Sequence, residues 1–192
     1  FHIANDVKVS ALSHYPEVLT MEEQTEDEEI LWSGLKEALE GAFGQFVETR
    51  VLEGSHLKED ILQKLSGMES LVEQVEARSP QIVAEYRAKL EEKVKELLAD
   101  AQVEESRIAA EVILFADKIC TDEEVVRLKS HIAHMRLEES EGIGRKLDFI
   151  AQEMNREANT ILSKANDLEV SNYAIGLKTE IEKIREQIQN IE

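Results

Sequence analysis

The chain has 192 residues and a formal net charge of −19, with 42% hydrophobic but only 5% aromatic residues. That length is sufficient for a domain with its own core, built mostly from aliphatic side chains. No run of 18 apolar residues occurs, which excludes a transmembrane helix, and the negative charge argues against attraction of polyanions by the general field of the protein.

The charge is unevenly distributed along the chain. Residues 142–192 carry 7 basic and 9 acidic side chains, whereas the first 141 residues carry 15 and 32. Any contact with a polyanion is therefore expected from a local basic patch or a bound metal ion. The single cysteine, Cys120, excludes an internal disulfide and is typical of a cytoplasmic protein.

In chain order, residues 1–24 are predicted to be irregular or weakly helical, with a turn near Pro16. Because the chain begins with Phe and not Met, we interpret this segment as the remnant of a linker from a missing N-terminal region. Residues 25–192 are predicted to form one helical domain. Its first helical pattern runs from about residue 26 to 77 and contains glycines that could bend it, and Ser79–Pro80 predicts a restart, with Ser as N-cap.

Further helices are predicted at about 80–99, 103–119, 121–140, 145–168 and 171–191 from the spacing of their apolar residues. The last two carry apolar residues at alternating steps of three and four, as in the seam of a coiled coil. The linker "LEVSN" between them is short. We therefore predict an all-α fold with long helices and a C-terminal antiparallel coiled-coil-like hairpin.

Two groups of polar residues are not needed by the predicted core. Glu153 and Glu157 are four residues apart and stack on one helix face, where like charges destabilise a bare helix by a few tenths of a kcal/mol. Either the nearby Arg156 and Lys164 or a cation must offset this repulsion.

The second group lies on the preceding helix. Glu124 and His131 are seven residues apart and share one helix face, a pair that is suited to metal ligation or proton transfer. Purely structural explanations fit as well: "TDEE" is typical of a capping box with Thr121 as N-cap, and His131 borders the apolar seam. The charges around Glu153 could equally be a solvated surface network. No HExxH, paired CxxC, phosphate-binding loop or GxSxG motif occurs.

Several segments resemble the bacterial YicC/YloC family, and they occur in the family's order. They are "RVLEGSHLKEDI" (50–61), "AEVILFADK" (110–118), "DEEVVRLKSHI" (122–132), "GRKLDFIAQEMNREANTILSKAND" (144–167) and the final "EIEKIREQIQNIE". The similarity covers what we interpret as the C-terminal half of the family. It implies a cytoplasmic, metal-dependent endoribonuclease that acts on single-stranded or small structured RNA and assembles as a homohexamer.

The resemblance also suggests roles for individual residues. Catalysis and the binding of Mn²⁺ or Mg²⁺ would fall to Glu124, His131, Glu153 and Glu157, with Glu53, Asp60, Glu111 and Asp117 as further candidate ligands. RNA would be held by polar side chains, since Asn, Arg and Lys bind phosphate and ribose without adding negative charge: Arg127, Arg145, Lys146, Arg156, Asn159 and Lys164. The alternative is an acidic helical scaffold that oligomerises and binds a partner through its apolar seams, without catalysis.

Overall fold

The computed structural model describes residues 4, 6–22, 27–98, 104–137 and 143–191, and each regular element in these ranges is an α-helix. The predicted all-α fold class is therefore confirmed. None of the described helices is long and apolar enough to cross a membrane. The chain divides into two compact units, Phe1–Arg50 and Val51–Glu192.

The described helices differ greatly in length, from one turn to about 70 residues. In chain order they are α1 (Val9–Leu12), α2 (Glu28–Leu98), α3 (Glu105–Ile119), α4 (Asp122–Leu137), α5 (Ile143–Lys164) and α6 (Leu168–Ile188).

Helix α2 runs without interruption through Pro80, so the predicted restart at this residue is wrong. A proline inside a helix removes one hydrogen bond and crowds the preceding turn. Here Val75 and Ile82, on either side of Pro80, are both buried in the same core. Burial of apolar side chains on both sides favours continuation of the helix through the proline. Four glycines that could bend or break the helix do not interrupt it either: Gly41, Gly44, Gly54 and Gly67.

The first unit contains α1, the following turn and the first part of α2. The predicted turn near Pro16 is present, and Glu17 in this turn has a φ of 70°. The carboxylate of Asp27 accepts a hydrogen bond from the Glu29 N–H at 3.0 Å, as the side chain of an N-cap residue does. The large apolar side chains of α2 in this unit are exposed.

The second unit has a core formed by one apolar face of each of four helices, with Ile119 added at the end of α3. The apolar residues recur at helical spacing, so each helix turns a single stripe inward. The largest side chains in this core are almost completely buried: Leu65, Met68, Val72 and Val75 of α2, Val125, Leu128 and Ile132 of α4, Met154 and Ile161 of α5, and Leu177, Ile181 and Ile184 of α6.

Ion pairs on the surface of this core give the direction of α4. Lys129 Nζ lies 2.6 Å from Glu76 Oε2, and Arg136 Nη2 lies 2.8 Å from Glu69 Oε2. Later residues of α4 therefore face earlier residues of α2, and the two helices are antiparallel. The first turn of α4 also lies close to the last turn of α5, which contains Lys164.

Helices α5 and α6 also run in opposite directions. Arg185 Nε, near the end of α6, lies 3.3 Å from Asp148 Oδ1, near the start of α5. A Cβ added at Gly144 would lie 2.9 Å from the carbonyl oxygen of Ile191, so only glycine fits this close approach. The coiled-coil geometry of the pair stays a prediction.

The boundary between these helices differs from the prediction. Helix α5 ends at Lys164 and α6 begins at Leu168, so "LEVSN" is helical and does not form the linker. Asp167 is the reason, because its carboxylate accepts hydrogen bonds from the N–H groups of Glu169 and Val170 at 3.0 and 3.1 Å. A side-chain cap of this kind fixes where a helix starts.

Candidate functional site

Glu124 lies in the first turn of α4 and has only 8% of its side chain exposed. Its Oε1 lies 2.8 Å from the Nζ of Lys164, in the last turn of α5, whose side chain is 35% exposed. The hydrogen bond to this carboxylate raises the pKa of Lys164. A charge-assisted bond of this length joins the two helices at the edge of the core.

One turn further along α4, Arg127 lies between two carboxylates. Its Nη1 is 3.6 Å from Oε1 of Glu157 on α5, and its Nη2 bonds Glu123 on its own helix. Glu157 is buried although it is charged. A buried carboxylate of each helix thus faces a cation of the other helix, and we call Glu124, Arg127, Glu157 and Lys164 the α4–α5 polar layer.

The second oxygen of Glu124 has no hydrogen-bond partner among the described residues, although it is buried. Buried polar atoms nearly always make a hydrogen bond, and a buried polar atom without one costs about 1–3 kcal/mol of stability. A capping box does not account for this oxygen. Thr121 precedes α4, and its carbonyl oxygen accepts a hydrogen bond from the Val125 N–H at 2.9 Å. The hydrogen bond that the Glu124 side chain accepts, however, comes from Lys164. Such an oxygen can accept a proton or a hydrogen bond, or bind a cation.

The other two predicted catalytic residues have different surroundings. Glu153 is partly exposed and pairs with Arg156 on its own helix at 2.7 Å. His131 is partly buried on α4. Arg156 therefore balances Glu153 as the sequence suggested, whereas the counter-charge of Glu157 is Arg127 and not the predicted Lys164.

The remaining predicted RNA contacts are distributed along α5. Arg145 and Lys146 lie in its first turn, and Arg156 and Asn159 lie in its second half. All four side chains are exposed. Their exposure leaves these side chains accessible to an external ligand. The roles of these side chains stay predictions.

The predicted metal ligands do not form a metal centre in this structure. In the part of the chain that the structure describes, no group of three or more His, Cys, Asp or Glu side chains could hold a metal ion. Of the further candidates, Asp60 pairs with Lys64, and Glu111 accepts a hydrogen bond from Tyr86 at 3.3 Å. The fit to a cation is limited to the free buried oxygen of Glu124, and the metal assignment stays a prediction.

The sequence did not predict an ion network around Arg78, which includes Asp167, three residues beyond Lys164. Arg78 of α2, which is 15% exposed, lies 2.6 Å from Glu85, 2.8 Å from Asp167 and 3.0 Å from Glu169. The hydrogen bond from Arg78 lowers the pKa of Asp167. An aspartate before an apolar helical run is a recognisable N-cap signal, but its arginine partner is 89 residues away and no local pattern predicts it.

Comparison with known protein families gives two matches along the chain. The family model described as "Endoribonuclease YicC-like, C-terminal" matches residues 75–192, and the model described as "Endoribonuclease YicC-like, N-terminal region" matches residues 1–59. The first match contains the whole α4–α5 polar layer. The expectation that the chain resembles only the C-terminal half of the family was therefore wrong, because its first 59 residues match the N-terminal model.

Two curated relatives agree with these matches. A protein of Clostridioides difficile (strain 630) named "Probable endoribonuclease YicC" is 44% identical over 195 residues, covering 100% of this chain and 67% of the relative. A protein of the same name from Haemophilus influenzae is 32% identical over 189 residues, covering 97% of this chain and 64% of the relative. The chain thus spans about two thirds of the length of these relatives. The family matches and these identities show that the chain belongs to the YicC-like endoribonuclease family.

Proposed function

We propose that the chain is an endoribonuclease and that RNA is cleaved at the α4–α5 polar layer. The observation that carries the site assignment is the buried oxygen of Glu124, which has no partner among the described residues. A catalytic base must be able to accept a proton, and a carboxylate oxygen with no competing donor is suited to that role. RNA would reach this oxygen at the edge of the core, beside the Lys164 side chain, which is 35% exposed. The names of the relatives support the reaction class.

The residues of the layer divide the chemistry between them. The attacking hydroxyl would give its proton to Glu124, the new P–O bond would form, and the bond to the leaving oxygen would break. His131, two turns further along α4, would return a proton to that oxygen. Lys164 and Arg127 would bind the phosphate oxygens, where cations stabilise the charge of the transition state.

Dependence on Mn²⁺ or Mg²⁺ belongs to the same proposal. Such ions are commonly held by one or two carboxylates together with substrate phosphates and water. Glu124 would hold the ion through the oxygen that has no described partner, in place of accepting the proton, and Glu157, which faces Arg127, would be the second carboxylate. When bound, the ion would supply charge neutralisation at the phosphate and activation of a water molecule.

The charge of the chain bears on how RNA is bound. With a net charge of −19, the chain repels RNA at long range, so binding would rely on short-range contacts with the basic side chains of α5. We therefore expect binding to single-stranded RNA that is weak at physiological salt and weakens further as salt is added. Assembly as a homohexamer and a cytoplasmic location are parts of this proposal.

Cleavage assays on the chain test the assignment. Glu157→Gln and His131→Ala should each abolish Mn²⁺-dependent cleavage of single-stranded RNA without loss of helicity by circular dichroism. Glu73→Gln, which replaces an exposed carboxylate of α2, is the matched control and should cleave like the wild type. Wild-type activity in a folded Glu157→Gln variant would refute the role of the layer.

The alternative function, an interaction scaffold without catalysis, is favoured by one observation. Large apolar side chains of α2 in the first unit are exposed, including Trp32, Phe43 and Phe46. A scaffold would assemble or bind a partner and show no RNA cleavage with any divalent ion. The cleavage assay therefore separates the two functions.

A further inference from the structure

The beginning of α2 carries a row of large apolar side chains that no described residue covers. Trp32, Leu35, Leu39, Phe43 and Phe46 are 61%, 51%, 41%, 63% and 60% exposed. At 3.6 residues per turn, all five lie within about 40° of Leu39 around the helix axis. Contiguous exposed apolar surface of this kind marks an interaction site in a water-soluble domain. We call these five residues the α2 apolar stripe.

The spacing of the α2 apolar stripe is symmetric about Leu39. Trp32 and Leu35 lie 7 and 4 residues before Leu39, and Phe43 and Phe46 lie 4 and 7 residues after it. If two such helices pair antiparallel with Leu39 opposite Leu39, each Trp32 meets a Phe46 and each Leu35 meets a Phe43. A two-fold interface requires a patch that is complementary to itself in this way. The mean step of about 3.5 residues is that of helices that pack along a seam.

The charges at the two ends of the stripe fit the same arrangement. Glu28 lies 11 residues before Leu39 and Arg50 lies 11 residues after it, and both fall within about 20° of Leu39 around the axis. Antiparallel pairing places Glu28 of one copy opposite Arg50 of the other, at both ends, whereas parallel pairing places like charges together. The Arg50 guanidinium lies 5.9 Å from the centre of the Phe46 ring, beside the stripe.

The area is sufficient for a specific contact. The exposed parts of the five side chains amount to on the order of 600 Å² per copy, given the area that aromatic side chains bury. Two copies would remove on the order of 1,200 Å² from water, at the lower end of the range for stable protein interfaces.

We propose that the α2 apolar stripe is a homotypic interface, in which two copies of the chain pair their α2 helices antiparallel about a two-fold axis at Leu39. The occupant of the stripe is therefore a second copy of this chain. The inference rests on the first unit alone and is independent of RNA cleavage. It supplies one defined interface for the proposed homo-oligomer.

Thiol crosslinking tests the pairing and its direction in a Cys120→Ser background, because Cys120 is exposed. Leu39→Cys should give a covalent dimer with a short bis-maleimide reagent, since residue 39 faces its own copy. Trp32→Cys alone should not, because the two copies of residue 32 would be about 21 Å apart along the helix axis. A mixture of Trp32→Cys and Phe46→Cys chains should crosslink. Absence of the Leu39→Cys dimer, or efficient dimer formation by Trp32→Cys alone, would overturn the proposal.

Light scattering provides a second readout that does not depend on crosslinking. The wild-type mass should be an even multiple of 21.8 kDa, and Leu39→Glu should halve it without loss of helicity. Ile30→Glu is the matched control, because Ile30 is 72% exposed and lies about 180° from Leu39 around the helix; its mass should not change. A monomeric wild type, or a mass that Leu39→Glu leaves unchanged, would mean that something other than a second copy covers the stripe. Neither result would bear on RNA cleavage.

Discussion

Replacement of Lys164 by methionine isolates the contribution of the amine to the α4–α5 polar layer. The change keeps most of the side-chain length and removes the group that lies 2.8 Å from Glu124. Glu124 would then be a buried carboxylate with neither oxygen bonded to a cation. Removing one partner of a buried ion pair costs about 3–5 kcal/mol. Because the Lys164 side chain is 35% exposed and water can approach, we expect about 1–3 kcal/mol in the free energy of unfolding.

Thermal unfolding followed by circular dichroism measures this loss, which should lower Tm by about 3–10 °C for a chain of this size. The double variant Glu124→Gln/Lys164→Met should recover most of the stability, because a neutral amide is easier to bury than a carboxylate. The hydrogen bond raises the pKa of Lys164 above its ordinary value of 10.5. The pair therefore stabilises the fold fully below pH 10.5, and this contribution is lost as the pH rises through the raised pKa. A Lys164→Met variant that melts like the wild type, or a double variant that melts like Lys164→Met, would refute this reasoning.

Four further substitutions test other parts of the structure. Ile184→Asp places a charge in a fully buried position and should cost about 4 kcal/mol or more, so an unchanged Tm would show that the core face of α6 is assigned wrongly. The hydrogen bond from Arg78 lowers the pKa of Asp167 below 3.8. The pair therefore stabilises the fold fully above pH 3.8, and this contribution is lost as the pH falls through the lowered pKa. Asp167→Asn should remove that part of the acid sensitivity in unfolding titrations. Gly144→Ala should destabilise the fold, because the added Cβ would lie 2.9 Å from a backbone oxygen. Gly41→Ala is the control, since its Cβ would lie in open space, and it should stabilise α2 by up to about 1 kcal/mol. Equal melting temperatures of the two variants would contradict the close approach at Gly144.

The apolar spacing predicted the helices and the buried faces well, because burial of one stripe per helix leaves a local periodic signal. Ile181 and Ile184 are buried as the spacing of the last helix indicates. The predicted break at Pro80 failed, since tertiary packing on both sides of a proline is not visible in the local sequence. The start of α6 was misplaced because the cap of Asp167 was overlooked, although this signal is present in the sequence.

The candidate site was predictable only in its residue types. Spacing placed Glu124 and His131 on one face and Glu157 near Lys164, but it gave no information on which helix supplies each counter-charge. The pairing of Glu124 with Lys164 joins residues 40 positions apart, and it arises from how α4 packs on α5. A buried oxygen without a partner among the described residues is likewise a property of the packed structure.

The most direct test of the central claim is RNA cleavage by the Glu124→Gln/Lys164→Met double variant, measured under single-turnover conditions with and without Mn²⁺. This variant should keep most of the stability of the fold while it lacks the proposed base and one phosphate-binding cation, and its Tm, measured in parallel, separates lost activity from unfolding. We expect that the wild-type chain cleaves single-stranded RNA and that the double variant is slower by about 10²-fold or more. A double variant that melts like the wild type and cleaves at the wild-type rate would contradict the account, as would a wild-type chain that does not cleave RNA.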